Sequence, residues 1–319
     1  MDFRHQALNI LREKTALVIA GGGTRGYSVC GNLERLSELG LPLSNFKYVT
    51  GSSVGSIIAT AIACNGTVEY IKEKMNNIDL QALAARECIL VEGFNLLKNY
   101  GLHETDEIDN LMGSVLQDLV GNKNITLLEL YELTKIHLTI TYLSLNYNKT
   151  IYADYLTEPD TLVRSAVVKS STIPLYYEAH FEGRGASRSV AVDGGTANNY
   201  PMNVARKQVN PINILGIKFI STADIDETKD MGIPRNVVDY LYRIVNILRD
   251  QALRIHVEEN DWKNTMKIDV KNITSTSFDL TQEQKDWLFN QGRESVNKHI
   301  LDLEQLLKDN KYPYVLTDL

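Results

Sequence analysis

The chain has 319 residues, of which 44% are hydrophobic and 23% charged, and its net charge is −7. These are ordinary globular values with length for a large core, and they exclude disordered, collagen-like and coiled-coil chains. With no basic excess to neutralise phosphates, nucleic acid is not expected as a partner.

Met1 to Lys14 mixes charges with few apolar residues and is not expected to act as an export signal. Phe3, Leu8 and Leu11 read as one face of a helix packed on the core rather than a membrane-docking face. Ala16 to Ala20 is a continuous apolar run, the pattern of a strand buried on both sides. Glycines 21–23 break it, and Val29, Leu33 and Leu36 then recur at helical spacing up to Gly40 and Pro42. Phe46 to Thr50 predicts a second strand, and Ser53 to Cys64 a helix of small residues. This β-α-β-α start predicts a parallel sheet with helices on both faces.

Residues 65–135 read as helical, with apolar clusters at 89–91 and 96–97. His137 to Leu145 and Thr150 to Leu156 predict a hairpin around the turn-prone Asn146-Tyr147-Asn148-Lys149. Asp160 is expected to cap a helix from Thr161 to Ser171, stopped by Pro174. Strands follow at Ser189 to Val192 and Ile212 to Ile220. After Pro234, the stripe from Val237 to Ala252 predicts a long helix with a core-facing side. Met266 to Val270 predicts a late strand, and Thr281 with Gln284 a capping box opening a last helix. Neither a repeat nor a Gly/Ser linker interrupts the chain, so one domain over 1–319 is expected. No apolar run approaches the roughly 20 residues that cross a bilayer. Cys30, Cys64 and Cys88 are too scattered for a disulfide framework or a zinc site and suit a reducing compartment. A cytoplasmic protein, peripheral at membranes, is the expectation.

Three motifs carry chemistry. Gly21-Gly22-Gly23-Thr24-Arg25-Gly26 follows a strand and opens a helix, where exposed N–H groups and the helix dipole make an anion cradle. The same Gly-x-Gly-x-x-Gly spacing occurs in dinucleotide sites, which also need a carboxylate at the end of the next strand; here that strand ends in Val49-Thr50-Gly51. A turn that only permits close helix packing is a further reading of these glycines. Gly51-Ser52-Ser53-Val54-Gly55 places a Gly-x-Ser-x-Gly at a strand-to-helix junction, the context of a nucleophile elbow. The bland alternative is a turn in which Ser52 or Ser53 caps the helix. A nucleophilic serine needs a base. His256 and His299 fall in charge-rich helical stretches, and only one β-α unit precedes Ser53, which disfavours a histidine triad while leaving His180 open. Val190-Ala191-Val192-Asp193-Gly194-Gly195 offers a carboxylate at a strand end instead, although an Asp-Gly turn alone would look the same.

In this order and spacing, the three motifs resemble those of the patatin-like phospholipases, Ser-Asp acyl hydrolases of three-layer α/β/α fold with a central, mostly parallel sheet. Ser170-Ser171-Thr172-Ile173-Pro174-Leu175-Tyr176 and Thr196-Ala197-Asn198-Asn199-Tyr200-Pro201 resemble the segments around the family's Asp-Gly strand. The resemblance covers about residues 15–220, with a mainly helical part at about 234–319. It implies Ser53 as nucleophile, Asp193 as proton acceptor, and an oxyanion hole of Gly22 and Gly23, with Arg25 helping by charge or by ordering the loop. Gly21, Gly26, Gly51, Gly55, Gly194 and Gly195 are the motif glycines. It implies no metal or other cofactor, and a lipid ester met at a membrane or micelle surface. Thr172 and Ile173 stand where smaller residues are expected, implying a narrowed or reshaped pocket. Two other functions compete: a nucleotide- or NAD-binding protein using the glycine loop, and a lipid binder that is non-catalytic or silent until a partner activates it.

Overall fold

The computed structural model describes residues 2–78, 100–183, 189–221, 256–275 and 277–313, with 232–234, 240–241, 243–245 and 247 between them. Helix α1 (Phe3–Arg12) buries Ala7, Ile10 and Leu11, so the N-terminal apolar face packs on the core. Then follow β1 (Ala16–Ile19), α2 (Tyr27–Glu38), β2 (Tyr48–Ser52), α3 (Val54–Ala63) and α4 (Val68–Asn76). The second strand lies two residues later than its apolar pattern suggests, because Phe46 fills the core from the turn that precedes it. Next come β3 (Gly101–His103), α5 (Asp106–Val120), α6 (Leu127–Thr134), the hairpin β4 (His137–Ser144) and β5 (Lys149–Ala153), and α7 (Val163–Ser171). The apolar clusters at 89–91 and 96–97 lie outside the described residues. Asp160 does not cap α7: Leu162 holds the cap position without a side-chain bond, and Leu162 pairs instead with Thr126.

The remaining elements are β6 (Leu175–Tyr177), β7 (His180–Glu182), β8 (Ser189–Asp193), α8 (Gly195–Asn198), α9 (Met202–Gln208), β9 (Ile214–Ile220), β10 (Thr265–Asp269) and α10 (Gln282–Lys308). The capping box predicted at Thr281 is present with both of its reciprocal bonds. Most of the helix expected over 237–252 lies outside the described residues. Its described members are helical, but Leu241 and Ile244 are exposed, which corrects the expectation that they face the core.

Among the described residues, β10-β9-β1-β2-β4 form a parallel run, and β5, β8 and β7 join antiparallel. This is the mixed α/β fold with a mostly parallel central sheet that the motifs implied. Helices α2, α3, α7 and α10 pack against one face, while α8, α9 and Tyr200 lie against the other.

The pairing of β4 places the motifs. One edge of β4 carries β5 at Ile140 to Ser144. The other carries β2 as far as Ser52 opposite Thr141, and then β8, whose Asp193 stands opposite Tyr142. Since a strand has only two edges, β2 and β8 meet head to head on one of them. The end of β2 and the end of β8 are therefore adjacent rungs, about 3.3 Å apart along β4.

At the opposite end of the sheet Lys14 is fully buried. Its Nζ donates to Ile212 O at 2.7 Å and to Asn264 Oδ1 at 2.8 Å. Burial pulls its pKa down to about 7, against a raising contribution from Glu13. An unfolded lysine titrates near 10.4, so between about pH 7 and pH 10 the unfolded chain holds a proton that the folded chain lacks. Stability then rises with pH across that window. The melting temperature of the wild type is expected to gain on that of Lys14→Met as pH rises from 7 to 10; a constant difference would contradict this.

Candidate active site

Ser53 occupies the turn between β2 and α3 with φ 54° and ψ −130°. A non-glycine residue there stores strain of about 1–3 kcal/mol, and such outliers cluster where function over-determines the backbone. The surrounding glycines make the turn possible. A Cβ on Gly51 would run into the Gly55 carbonyl, and one on Gly55 into the carbonyl of Ile19 in β1. Gly55→Ala is therefore expected to cost about 1–3 kcal/mol, read as a lower denaturant midpoint; an unchanged midpoint would show that the helix can withdraw from β1.

The Ser53 N–H donates to Ser170 Oγ at 2.9 Å, and its carbonyl accepts from Ser56 N–H at 2.8 Å and Ser56 Oγ at 2.7 Å. The side chain opens into a cavity of about 280 Å³. Ile57, Ile108, Leu111, Ile173 and Phe278 give it a mainly apolar wall, and Gly23, Thr24 and Ser275 add polar atoms to the lining. Tyr27 and Tyr177 also line it. Burial, with a smaller push from Cys30, raises the Tyr27 phenol to about 12. Burial first, then Tyr176 and Asp193, raises that of Tyr177. Both phenols stay neutral at physiological pH. Thr172 does not narrow the cavity: it is fully buried and its hydroxyl donates to Val168 O within α7, whereas Ile173 does line the wall.

Asp193 is 3% exposed and does not reach the cavity surface. Its N–H donates to Thr172 O at 2.7 Å, and its Oδ1 accepts from Gly195 N–H at 2.6 Å, which fixes the carboxylate at the mouth of α8. Gly194 follows directly under β2: a Cβ there would lie 2.9 Å from Ser52 Oγ. The structure thus brings Ser53 and Asp193 to one junction, from 140 positions apart in the chain.

Asn199 ties this junction to the glycine loop. Its Nδ2 donates to Gly21 O at 2.9 Å, and its own carbonyl accepts from Gly21 N–H at 3.0 Å. A Cβ on Gly195 would stand 2.6 Å from Asn199 Oδ1 and 2.7 Å from Asp193 Oδ1, and one on Gly21 would stand 3.1 Å from Ser53 Cβ. The loop then turns through Gly23 at φ 55° into a short 3₁₀ segment, Gly23–Gly26. Thr24 N–H donates to Ser275 O at 3.1 Å, and Arg25 Nε to Ile273 O at 2.8 Å. The N–H groups of Gly22 and Gly23 donate to none of the described residues. Of the three residues implied for the oxyanion hole, Gly23 lines the cavity, Gly22 backs onto Phe219, and Arg25 reaches to the 273–275 segment. Gly26 packs against Val54 and Met75.

His180 sits on β7, 3.7 Å from Glu182, and does not line the cavity. His299 is buried inside the fold, with its pKa pulled down to about 3 by burial and, less, by Lys14 and Lys267. Neither replaces Asp193 at the junction. Ser170, Asn199 and the 273–275 segment were not singled out from the sequence as functional. Ser170 and Asn199 lie inside segments flagged by resemblance, but nothing local in 273–275 signals its role against the glycine loop. No group of side chains suited to holding a metal ion occurs among the described residues. No described helix is long and apolar enough to cross a membrane.

The chain is 26% identical over 291 residues to an uncharacterized protein of Acanthamoeba polyphaga mimivirus, covering 90% of this chain and 94% of that one. It is 29% identical over 224 residues to triacylglycerol lipase 4 of Saccharomyces cerevisiae, covering 63% of this chain but 24% of the lipase. Among solved structures, VipD from Legionella pneumophila superposes with a TM-score of 0.63 at 14% identity, over 90% of this chain and 67% of VipD, a likeness of fold alone. The family model described as patatin-like phospholipase matches residues 17–206, which takes in all three motifs and more than half of the chain. The chain belongs to the patatin-like phospholipases, a family of lipid acyl hydrolases.

Proposed function

We propose that the protein is a serine hydrolase that cleaves carboxylic ester bonds of lipids, of phospholipase A type, through Ser53 and Asp193. The observation that carries this is the strained backbone of Ser53, poised at an apolar cavity with Asp193 on the neighbouring rung behind it. Asp193 takes the proton from Ser53 Oγ as that oxygen attacks the ester carbonyl. The carbonyl oxygen becomes an oxyanion, held by the N–H groups of Gly22 and Gly23; one such donor is worth about 3 kcal/mol of barrier. Arg25 acts by ordering the loop, through its bond to Ile273. Collapse expels the alcohol, which leaves with the proton from Asp193. Water then attacks the acyl-enzyme, giving its proton to Asp193, and the fatty acid departs as Ser53 regains its hydrogen. The apolar wall suits the acyl chain, and the polar lining atoms suit the ester.

A carboxylate is a weaker base than imidazole, so the site depends heavily on stabilising the oxyanion. The ester reaches the cavity from a membrane or micelle surface. Purified protein incubated with mixed phospholipids, galactolipids and triacylglycerols is expected to release free fatty acid from at least one class, measured by lipid mass spectrometry. Release from none would overturn the proposal and favour a non-catalytic or partner-activated lipid binder.

A further inference from the structure

We propose that Ser170 is a positioning residue for the nucleophile, an inference that rests on the hydrolase assignment above. Ser170 is fully buried in the last turn of α7. A serine inside a helix commonly turns its hydroxyl back to the carbonyl four residues earlier. Ser170 does otherwise: its Oγ donates to Thr141 O of β4 at 2.6 Å and accepts from the Ser53 N–H at 2.9 Å. A hydroxyl has one proton and two lone pairs. Spending the proton on Thr141 leaves a lone pair for the Ser53 N–H, so the direction of both bonds is fixed.

The same residue also touches the other half of the site. Its carbonyl accepts from Gly194 N–H at 3.3 Å, and the carbonyl of Thr172, two positions on, accepts from Asp193 N–H at 2.7 Å. One helix end therefore clamps the backbone of the serine and that of the aspartate to the same point of β4. The side-chain bond is the part that bears on Ser53, whose φ of 54° does not relax while its N–H is held. Ser170 does not line the cavity, although its neighbours Ser171 and Ile173 do. It acts on the chemistry and not on substrate contact. Loss of the hydroxyl frees the turn and lets Oγ drift from the line of attack, and a misplacement of about 1 Å can cost about a hundredfold in rate.

The test is a series of Ser170→Ala and Ser170→Cys, read as kcat and KM per folded molecule on a fatty-acyl ester and as the rate at which a fluorophosphonate labels Ser53. Sulfur is a weak acceptor and larger than oxygen, so the cysteine variant weakens the bond while keeping the site filled. The expected result is a kcat about 10- to 100-fold lower for Ser170→Ala, an intermediate value for Ser170→Cys, KM within about twofold of wild type, and labelling slowed in step with kcat. Thr139→Val serves as the control for stability alone, because the Thr139 hydroxyl is buried on β4 and makes no hydrogen bond to Ser53, Ser170 or Asp193; its kcat is expected to match wild type. If Ser170→Ala does not fold, the cysteine variant carries the test. Wild-type kcat and labelling rate in the folded Ser170 variants overturn the positioning role alone. Hydrolysis that survives Ser53→Ala overturns the assignment of Ser53 as nucleophile and this inference with it.

Discussion

Ser53→Ala is expected to lower ester hydrolysis by at least about 10⁴-fold, since it removes the oxygen that attacks the ester. The fold is expected to survive. The backbone bonds that hold the turn, to Ser170 and from Ser56, do not use the Ser53 side chain. Alanine meets the positive φ at much the same cost as serine. Circular dichroism and the melting temperature should therefore stay close to wild type while fatty-acid release disappears. Retained release at the wild-type rate would place the nucleophile elsewhere.

Asp193→Asn is expected to lower kcat by about 10³-fold with little change in KM. General-base catalysis is typically worth about 10² to 10⁴. The amide keeps the size of the carboxylate, and its oxygen can still accept the Gly195 N–H, so the turn into α8 is preserved. The basicity is lost. KM is expected to hold because Asp193 is shielded from the cavity. A variant with wild-type kcat would show that the proton goes to another acceptor.

Features set by nearby residues were legible in the sequence. The capping box at Thr281 needs only Gln284, three positions away, and both bonds form. The glycine loop and the elbow were readable because a strand, a break and a helix follow one another within a few residues. The cap expected from Asp160 failed because Leu162 found a distant partner in Thr126, and pairing between remote segments outweighs a local capping preference. The strand over 48–52 was displaced for a similar reason: Phe46 is apolar, but its place in the core is reached from a turn.

The arrangement of the site was less legible. The motifs identify Ser53 and Asp193, yet what brings them together is the antiparallel arrival of β8 on the edge of β4 that β2 has just vacated. A short apolar run does not state the direction in which it will pair. The supports are equally non-local: Asn199 reaches back to Gly21, Ile273 holds Arg25, and Ser170 holds the Ser53 backbone. Ser170 would pass in the sequence for a small residue at a helix end.

The measurement that bears most directly on the mechanism is covalent capture of the nucleophile. Protein treated with a long-chain fluorophosphonate and analysed by intact mass and peptide mapping is expected to gain one adduct, located on Ser53, and to gain it far more slowly when Asp193 is replaced by asparagine. Labelling at another residue, or labelling of Ser53 at an undiminished rate in Asp193→Asn, would contradict the account.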